Sequence, residues 1–511
     1  MVLEFIPERP KDAKYRTLIV LLDGTGDSDD KDATNIVLLH KMLYNGKKPA
    51  NDNKQLVYYS TGIGADITQS YADLVHYAYQ KIDQAVAKSF QDHIIHAYTW
   101  LMKNYQDNDK ICIFGFSRGA YSARALAGML KAMGLLRASD AASAKATYKL
   151  YEEHDRLPPS TTPAEKETRD KAWLALRLKW QNFRTEHKPE VKMPFVEFLG
   201  CWDSVNSVGM VNNIKLAHTA TNSIVRTFRH AVALDERRAK FNQNMWSQPN
   251  KPAVTANAQP NGDNRPSVVT DVQEVWFAGC HCDVGGGSVL NDTRPNLAHI
   301  SLRWMIRECF KARTGMIFSA TELATLGIEP SHLYPDVRPR PDVDAVTRGS
   351  QTIRAIEAPE LVPWAKSFLP SWDSEPEARR ELALPNMSEE ELDASDALAP
   401  LYDQLVLKSR IWKAMEWLFT KTSVYNAVDD TFQYIWHPHN SAGRTIPPAK
   451  DTHGGKIRVH RTVRMRMQGT YENGPDKGKQ YIPKAMMGWP REFEKQTAFE
   501  RVEADSIEWV S

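Results

Sequence analysis

Gly115-Phe116-Ser117-Arg118-Gly119 sets a serine between two glycines, with an apolar run entering (Ile111 to Phe114) and an Ala- and Leu-rich run leaving. That spacing suits a nucleophile on a sharp strand-to-helix turn, where crowding demands small neighbours. Gly115, Gly119 and Ala120 supply them. The N-terminus of the following helix would aim backbone N–H groups at a developing oxyanion. The bland alternative is a serine that only caps the helix, with glycines that serve close packing.

A hydroxyl needs a base to attack at neutral pH, and the base needs an acid to hold its tautomer. On an elbow of this type the acid follows the serine in the chain and the histidine comes last. Asp203 in "FLGCWDSVNSVG" and His281 in "VWFAGCHCDVGGG" fit that order, each beyond an apolar strand. Without such a role, Asp203 would cap a following helix and His281 would be a core histidine bonded to backbone. His230 and Asp235 are rivals, but their segment "FRHAVALDERRAKF" reads as helix. His230 therefore ranks second as base and is expected to orient neighbours or contact substrate. Asp283, two residues after His281, would structure the glycine turn or serve as the acid. The oxyanion pocket needs the N–H of Arg118 and a second donor from an early loop. "LLDGTGDS" offers Gly24, Thr25 and Gly26, with Asp23 fixing the loop through local N–H groups. Phosphate cradling is the other use of such a loop, but no G-x-G-x-x-G or Walker pattern follows it.

These residues must be held by a scaffold, and the pattern predicts one. Apolar strands alternate with helical stretches over the first 310 or so residues, as in "RTLIVLLDGTG" and "KQLVYYSTG", with Tyr77 to Tyr105 helical. That alternation argues for an α/β fold with a mostly parallel sheet and helices on both faces. Ligands of such sheets bind beyond the carboxyl ends of the strands, where every loop named above falls. Residues 1–320 read as the catalytic core, with a charged helical insertion at about 138–192. Residues 321–511 read as a Pro- and acid-rich segment followed by a helical and strand cap, either separate or part of the same domain. "KIRVHRTVRMRMQG" reads as a solvated basic strand rather than a nucleic-acid groove.

Composition narrows the classes. A net charge of +2 over 511 residues exerts no general pull on nucleic acid or anionic lipid. Five cysteines, mostly within apolar runs, read as buried thiols of a reducing compartment. Cys280-His281-Cys282 lacks a second ligand pair at a zinc spacing, so no metal is expected. The N-terminus has no signal-peptide core and no run of about 18 apolar residues occurs, which predicts a cytoplasmic protein.

Five ordered blocks, "LLDGTGD…TNIVLLHKML", "GFSRGAYSARALAGML", "GCWDSVNSVG", "RHAVALDERRAKF" and "EVWFAGCHCDVGGGS", together resemble the catalytic domain of the type VI secretion phospholipase-effector-like family. The resemblance spans about residues 17–310 and implies an α/β-hydrolase fold. It carries a Ser-Asp-His triad onto Ser117, Asp203 and His281. Cys282 stands where Ser or another small residue is expected, and Ser204 where Thr is commoner. The activity implied is a cofactor-free serine hydrolase of carboxylic esters, a phospholipase or lipid esterase working through an acyl-enzyme, with peripheral contact to a membrane. The alternative is a non-catalytic relative that binds a ligand or partner in the same pocket.

Overall fold

A computed structural model of the chain describes residues 3–9, 12–24, 32–44, 54–61, 75–137, 141–157, 163–188, 190–205, 216–238, 241–246, 268–291, 293–341, 352–355, 387–407, 419–426, 431–438, 441–449, 452, 454–487, 497–499 and 504–511. The principal sheet has eight strands: β1 Thr17–Leu22, β2 Gln55–Ser60, β3 Lys110–Phe116, β4 Val196–Trp202, β5 Val225–Ala233, β6 Asp271–Phe277, β7 Ile457–His460 and β8 Ile507–Val510. Their order across the sheet is β8-β7-β6-β5-β4-β3-β1-β2. Every neighbouring pair is parallel.

The continuous apolar runs follow from that topology. A parallel strand covered on both faces has no solvent side, so β1 (TLIVLL) is buried at every position. Its alternate residues divide between two cores: Leu18, Val20 and Leu22 face one, Ile19 and Leu21 the other. On the first face lie α2 Val75–Asn104, α3 Arg118–Met133, α4 Ala141–Glu152 and α5 Pro163–Glu186. On the second lie α1 Asn35–Met42 and α7 Leu297–Lys311. Local signals set the ends of these helices. Thr34 accepts from Val37 N–H at the start of α1, Asn296 does the same for Ala298 at α7, and Gly134 (φ 76°) ends α3.

The strand order has one reversal. The chain leaves β1 for β2 on one side, then crosses back to place β3 on the other. The loops after β1 and β3 therefore run apart and open a crevice between them, the usual ligand site of such sheets. Ser117 directly follows β3, and Asp23 and Gly24 directly follow β1.

Within the predicted insertion, α4 and α5 pack along α3 through buried Tyr148, Tyr151, Leu176 and Trp180. Tyr151 donates to Ala217 O at 2.6 Å. β7 and β8 belong to the 321–511 segment, so the sheet takes strands from both sides of residue 320. The basic "KIRVHRTVRMRM" is not one strand: after β7 it turns into helix α9, Arg461–Met467, with His460 accepting from Thr462 N–H as the cap. Nor is its basic face solvated. Arg461 and Arg466 are buried.

The acidic run Glu389–Ala397 forms α8, and three of its acids, Glu389, Asp393 and Asp396, are buried. Arg303 of α7 reaches Asp393 (2.9 Å) and Asp396 (2.6 Å), while Arg307 reaches Glu389 (2.9 Å). Arg340 meets Glu389 (3.1 Å) and Asp393 (2.9 Å), and Arg461 meets Asp393 at 3.4 Å. This buried cluster ties the C-terminal third to α7. Burial opposes the charge of Asp393, but Arg340 and Arg303 outweigh it and hold the carboxyl below its ordinary range. Neutralising it takes one anionic partner from each of three guanidinium groups, so Asp393→Asn should lower stability in urea by about 3 kcal/mol at pH 7. A depressed acid contributes its stability above its unfolded pKa and loses it as pH falls through the folded value. The gap between wild type and variant should therefore narrow below about pH 4.

Candidate active site

The elbow is assembled by close backbone contact. A Cβ on Gly115 would lie 2.3 Å from Gly119 O, and one on Gly119 would lie 2.2 Å from Leu22 O. Only hydrogen fits at either place, so β3, α3 and the end of β1 meet at the turn. Ser117 takes the strain: its φ is 58° with ψ −123°, a conformation that costs a non-glycine residue about 1–3 kcal/mol. Its hydroxyl makes no cap bond to α3. Instead Ser117 Oγ lies 2.8 Å from His281 Nε2.

His281 Nδ1 lies 2.5 Å from Asp203 Oδ2. An ionised carboxylate only accepts, so Nδ1 carries the proton and Nε2 is left to accept from the serine hydroxyl. Asp203 sits at the end of β4 with φ 41°, a second strained residue, and receives Ala233 N–H at 2.9 Å. All three side chains are buried, in surroundings where charge interactions exceed their strength in water. Burial pushes the His281 imidazole below the ordinary histidine value, against the opposing pull of Asp203. Burial also opposes the charge on Asp203, but the Arg444 guanidinium and the His281 hydrogen bond hold its carboxyl well below the usual range.

His281 is not on an extended loop. His281–Gly285 is a short helix, α6, begun by Gly279 (φ 117°) and Cys280. Asp283 therefore turns away from the imidazole. Its carboxylate accepts from Cys280 N–H (2.9 Å) and Tyr402 N–H (3.0 Å), and burial pushes it up to about 7. These hydrogen bonds are those of a cap at the turn that follows Gly279 rather than those of an acid beside the imidazole. The reading of "FRHAVALDERRAKF" as helix is also overturned, because Val225–Ala233 is strand β5. A strand buried on both faces has no period-two signature, so its sequence pattern does not distinguish it from a helix. His230 is fully buried there. It accepts from Ser204 N–H at 3.0 Å and bonds Glu274 Oε1 at 2.9 Å, so it anchors the residue after Asp203 rather than meeting the serine. Asp235 is likewise engaged elsewhere, by Gly279 N–H (2.7 Å) and the Tyr481 hydroxyl (2.7 Å).

The β1 loop comes close: a Cβ on Gly24 would sit 3.2 Å from Ser117 Cβ. Asp23 accepts from Gly24 N–H (2.7 Å), Thr34 Oγ1 (2.8 Å) and the Tyr59 hydroxyl (3.2 Å). Gly24 N–H is thus directed at Asp23 rather than at the serine. Thr25 and Gly26 lie outside the described residues. Arg118 opens α3 beside Ser117.

Sequence reasoning gave no role to five neighbours. Arg444 pairs with both oxygens of Asp203, with Nη2 to Oδ2 at 2.9 Å. Glu236 accepts from His281 N–H (3.2 Å) and pairs with Arg238 (2.8 Å), which holds its carboxyl down to about 2 although burial opposes the charge. Phe116 and Phe241 pack on the imidazole, with ring centres 4.7 and 4.9 Å away. All but Arg444 lie in quoted motifs, Glu236, Arg238 and Phe241 in the "DERRAKF" block and Phe116 in the serine motif. Arg444 stands among small residues with nothing to mark it.

Comparison with known proteins bears on this arrangement. The model of the family described as "T6SS, Phospholipase effector Tle1-like, catalytic domain" matches residues 16–308. The uncharacterized protein YEL023C of Saccharomyces cerevisiae is 35% identical over 236 residues, which cover 45% of this chain and 32% of that protein. The chain thus spans about a third of the length of that curated relative. Among solved structures, an uncharacterized protein from Pseudomonas aeruginosa is 17% identical with a TM-score of 0.31, covering 58% of this chain and 46% of the other. A Tle1 effector bound to the VgrG spike of the type 6 secretion system is 16% identical with a TM-score of 0.27, covering 55% and 52%. With more than half of its residues matched, the chain belongs to the Tle1-like phospholipase effector family through that family's catalytic domain.

Proposed function

We propose that the protein is a serine hydrolase that cleaves a carboxylic ester of a phospholipid or related acyl lipid. One observation carries the reading: a strained serine on a glycine-flanked elbow is in hydrogen-bond reach of an imidazole that a buried carboxylate orients. Family membership supports the lipid class of the ester. In the first step Ser117 Oγ attacks the acyl carbonyl while its proton passes to His281 Nε2. The carbonyl oxygen becomes an oxyanion held by the N–H of Arg118 and a donor of the β1 loop, Gly24 to Gly26. Gly24 would have to leave Asp23 to serve. The tetrahedral intermediate collapses, His281 returns the proton to the departing alcohol, and an acyl-enzyme remains. Water, deprotonated by the same imidazole, then releases the fatty acid and restores Ser117.

Asp203 holds the Nδ1 proton throughout and stabilises the imidazolium as it forms. Nothing in this sequence of steps needs a metal or organic cofactor. Membrane contact follows from the substrate rather than from a spanning segment: among the described residues no helix is long and apolar enough to cross a membrane.

A fluorophosphonate probe should label the folded wild type and Ser122→Ala but not Ser117→Ala. Absence of wild-type labelling, with no turnover on a panel of short esters and phospholipids, would favour a pocket that only binds. Asp203→Asn should cost about 10⁴-fold in kcat, because the imidazole loses its orienting acceptor. The pH profile is a separate check. The base must be neutral to act, and burial lowers its pKa, so activity should persist as pH falls past the ordinary histidine value of 6.5 and fail only below it. A limb above 6.5 would mean that the Asp203 charge outweighs burial at His281.

A further inference from the structure

Asp203 has room for about four hydrogen-bond donors, and four are present. Oδ1 takes Ala233 N–H (2.9 Å) and Arg444 Nη1. Oδ2 takes His281 Nδ1 (2.5 Å) and Arg444 Nη2 (2.9 Å). The carboxylate cannot rotate without breaking one of them. Arg444 is itself buried and fully engaged, since Nε and Nη2 also donate to Phe241 O (3.1 and 2.6 Å) and Nη1 to Ala233 O (3.3 Å). Phe241 is the residue whose ring stands edge-on against the His281 imidazole. One guanidinium therefore grips both the acceptor that orients the base and a wall that confines it.

The source of this side chain is distant. Arg444 lies beyond the 16–308 span that defines the family match, on a segment fastened to the core by its own contacts. Thr445–Ile446 pairs in parallel with Met486–Met487, Met486 N–H donates to Arg444 O at 2.8 Å, and Gln243 Nε2 donates to Thr445 O at 2.7 Å. At Gly443 a Cβ would lie 1.8 Å from Lys484 O, so the approach of these two strands requires glycine.

We propose that Arg444 is a positioning residue of the active site, so that the functional catalytic unit of this protein extends past the family-matched segment to a C-terminal strand. The proposal rests on the hydrolase reading above. The fork fixes the Asp203 carboxylate in one plane, and its charge offsets that carboxylate before the imidazolium forms. The other charged groups around the imidazole are Glu236 and Arg238, from the loop after β5, which neutralise each other. Asp203 and Arg444 make a second neutral pair, and Ser117 completes the set. Loss of Arg444 leaves an uncompensated negative charge next to His281, which favours its protonation.

The test compares full-length wild type, Arg444→Lys and Arg444→Met by ester hydrolysis and by fluorophosphonate labelling across pH, with folding followed by circular dichroism. The Met variant should lose about 100-fold in kcat/KM, mostly in kcat, as expected for a misplaced base. Its acid limb should move up by about one pH unit. The Lys variant restores charge but not the two-pronged fork, so its limb should stay near wild type while kcat recovers only in part. Wild-type kinetics in both variants, or losses that merely track the folded fraction with an unmoved limb, would overturn the proposal. If the Met variant does not fold, the Lys variant decides: full kcat there refutes the role of the fork. A wild type that neither labels nor turns over brings down the hydrolase reading and this inference with it. An active wild type with unaffected variants brings down only the inference.

Discussion

A carboxylate enclosed in protein stays ionised only where its lost hydration is replaced, and the arrangement around Asp203 depends on that replacement. The backbone of β5, one imidazole and one guanidinium provide it. The consequences run outward. The ionised form makes His281 keep its proton on Nδ1, and Nε2 is then the nitrogen that faces Ser117. The same charge explains why the β4 and β5 strands end where they do, with Asp203 N–H bonded to Ala231 O and Ala233 N–H turned onto the carboxylate. Strain at Ser117 and Asp203 is tolerated because a parallel sheet buried on both faces holds each from several sides.

Charge is handled in the same manner elsewhere in the chain. The α7–α8 cluster sets four arginines against four carboxylates, and it anchors a segment whose composition suggests exposure. Such clusters cost desolvation and are weak evidence of net stability, but they permit only one register. Helix α8 reaches α7 with its acids matched residue by residue, and α9 follows from β7 into the same network. The C-terminal third is thereby located by charge as much as by apolar contact.

The legible part of this protein is the part governed by local steric rules. Gly115 and Gly119 announce an elbow because nothing larger fits between crossing backbones. Apolar runs before Ser117, Asp203 and His281 announce strands because a sheet covered on both faces excludes polar residues. Asp203 and His281 were nameable from order along the chain. What stayed hidden depends on distance or on competing patterns. β5 carries His230, Arg229 and Arg226 at spacings that mimic a helix, and only its neighbours in the sheet make it a strand. The α6 turn at His281 is set by Gly279 and the Asp283 cap, which looked like loop chemistry. Arg444 lies far from Asp203 in sequence, and one arginine among small residues has no local signature. Its meaning exists only in the folded chain.

That remoteness has a temporal side. A ribosome adding about 5–20 residues per second finishes His281 roughly 10–30 s before it reaches residue 444. During that interval the nascent polypeptide holds elbow, acid and imidazole but lacks the cation that settles them. The orientation of the Asp203 carboxylate is thereby deferred until late in translation, because its guanidinium partner is among the last parts of the chain to be made.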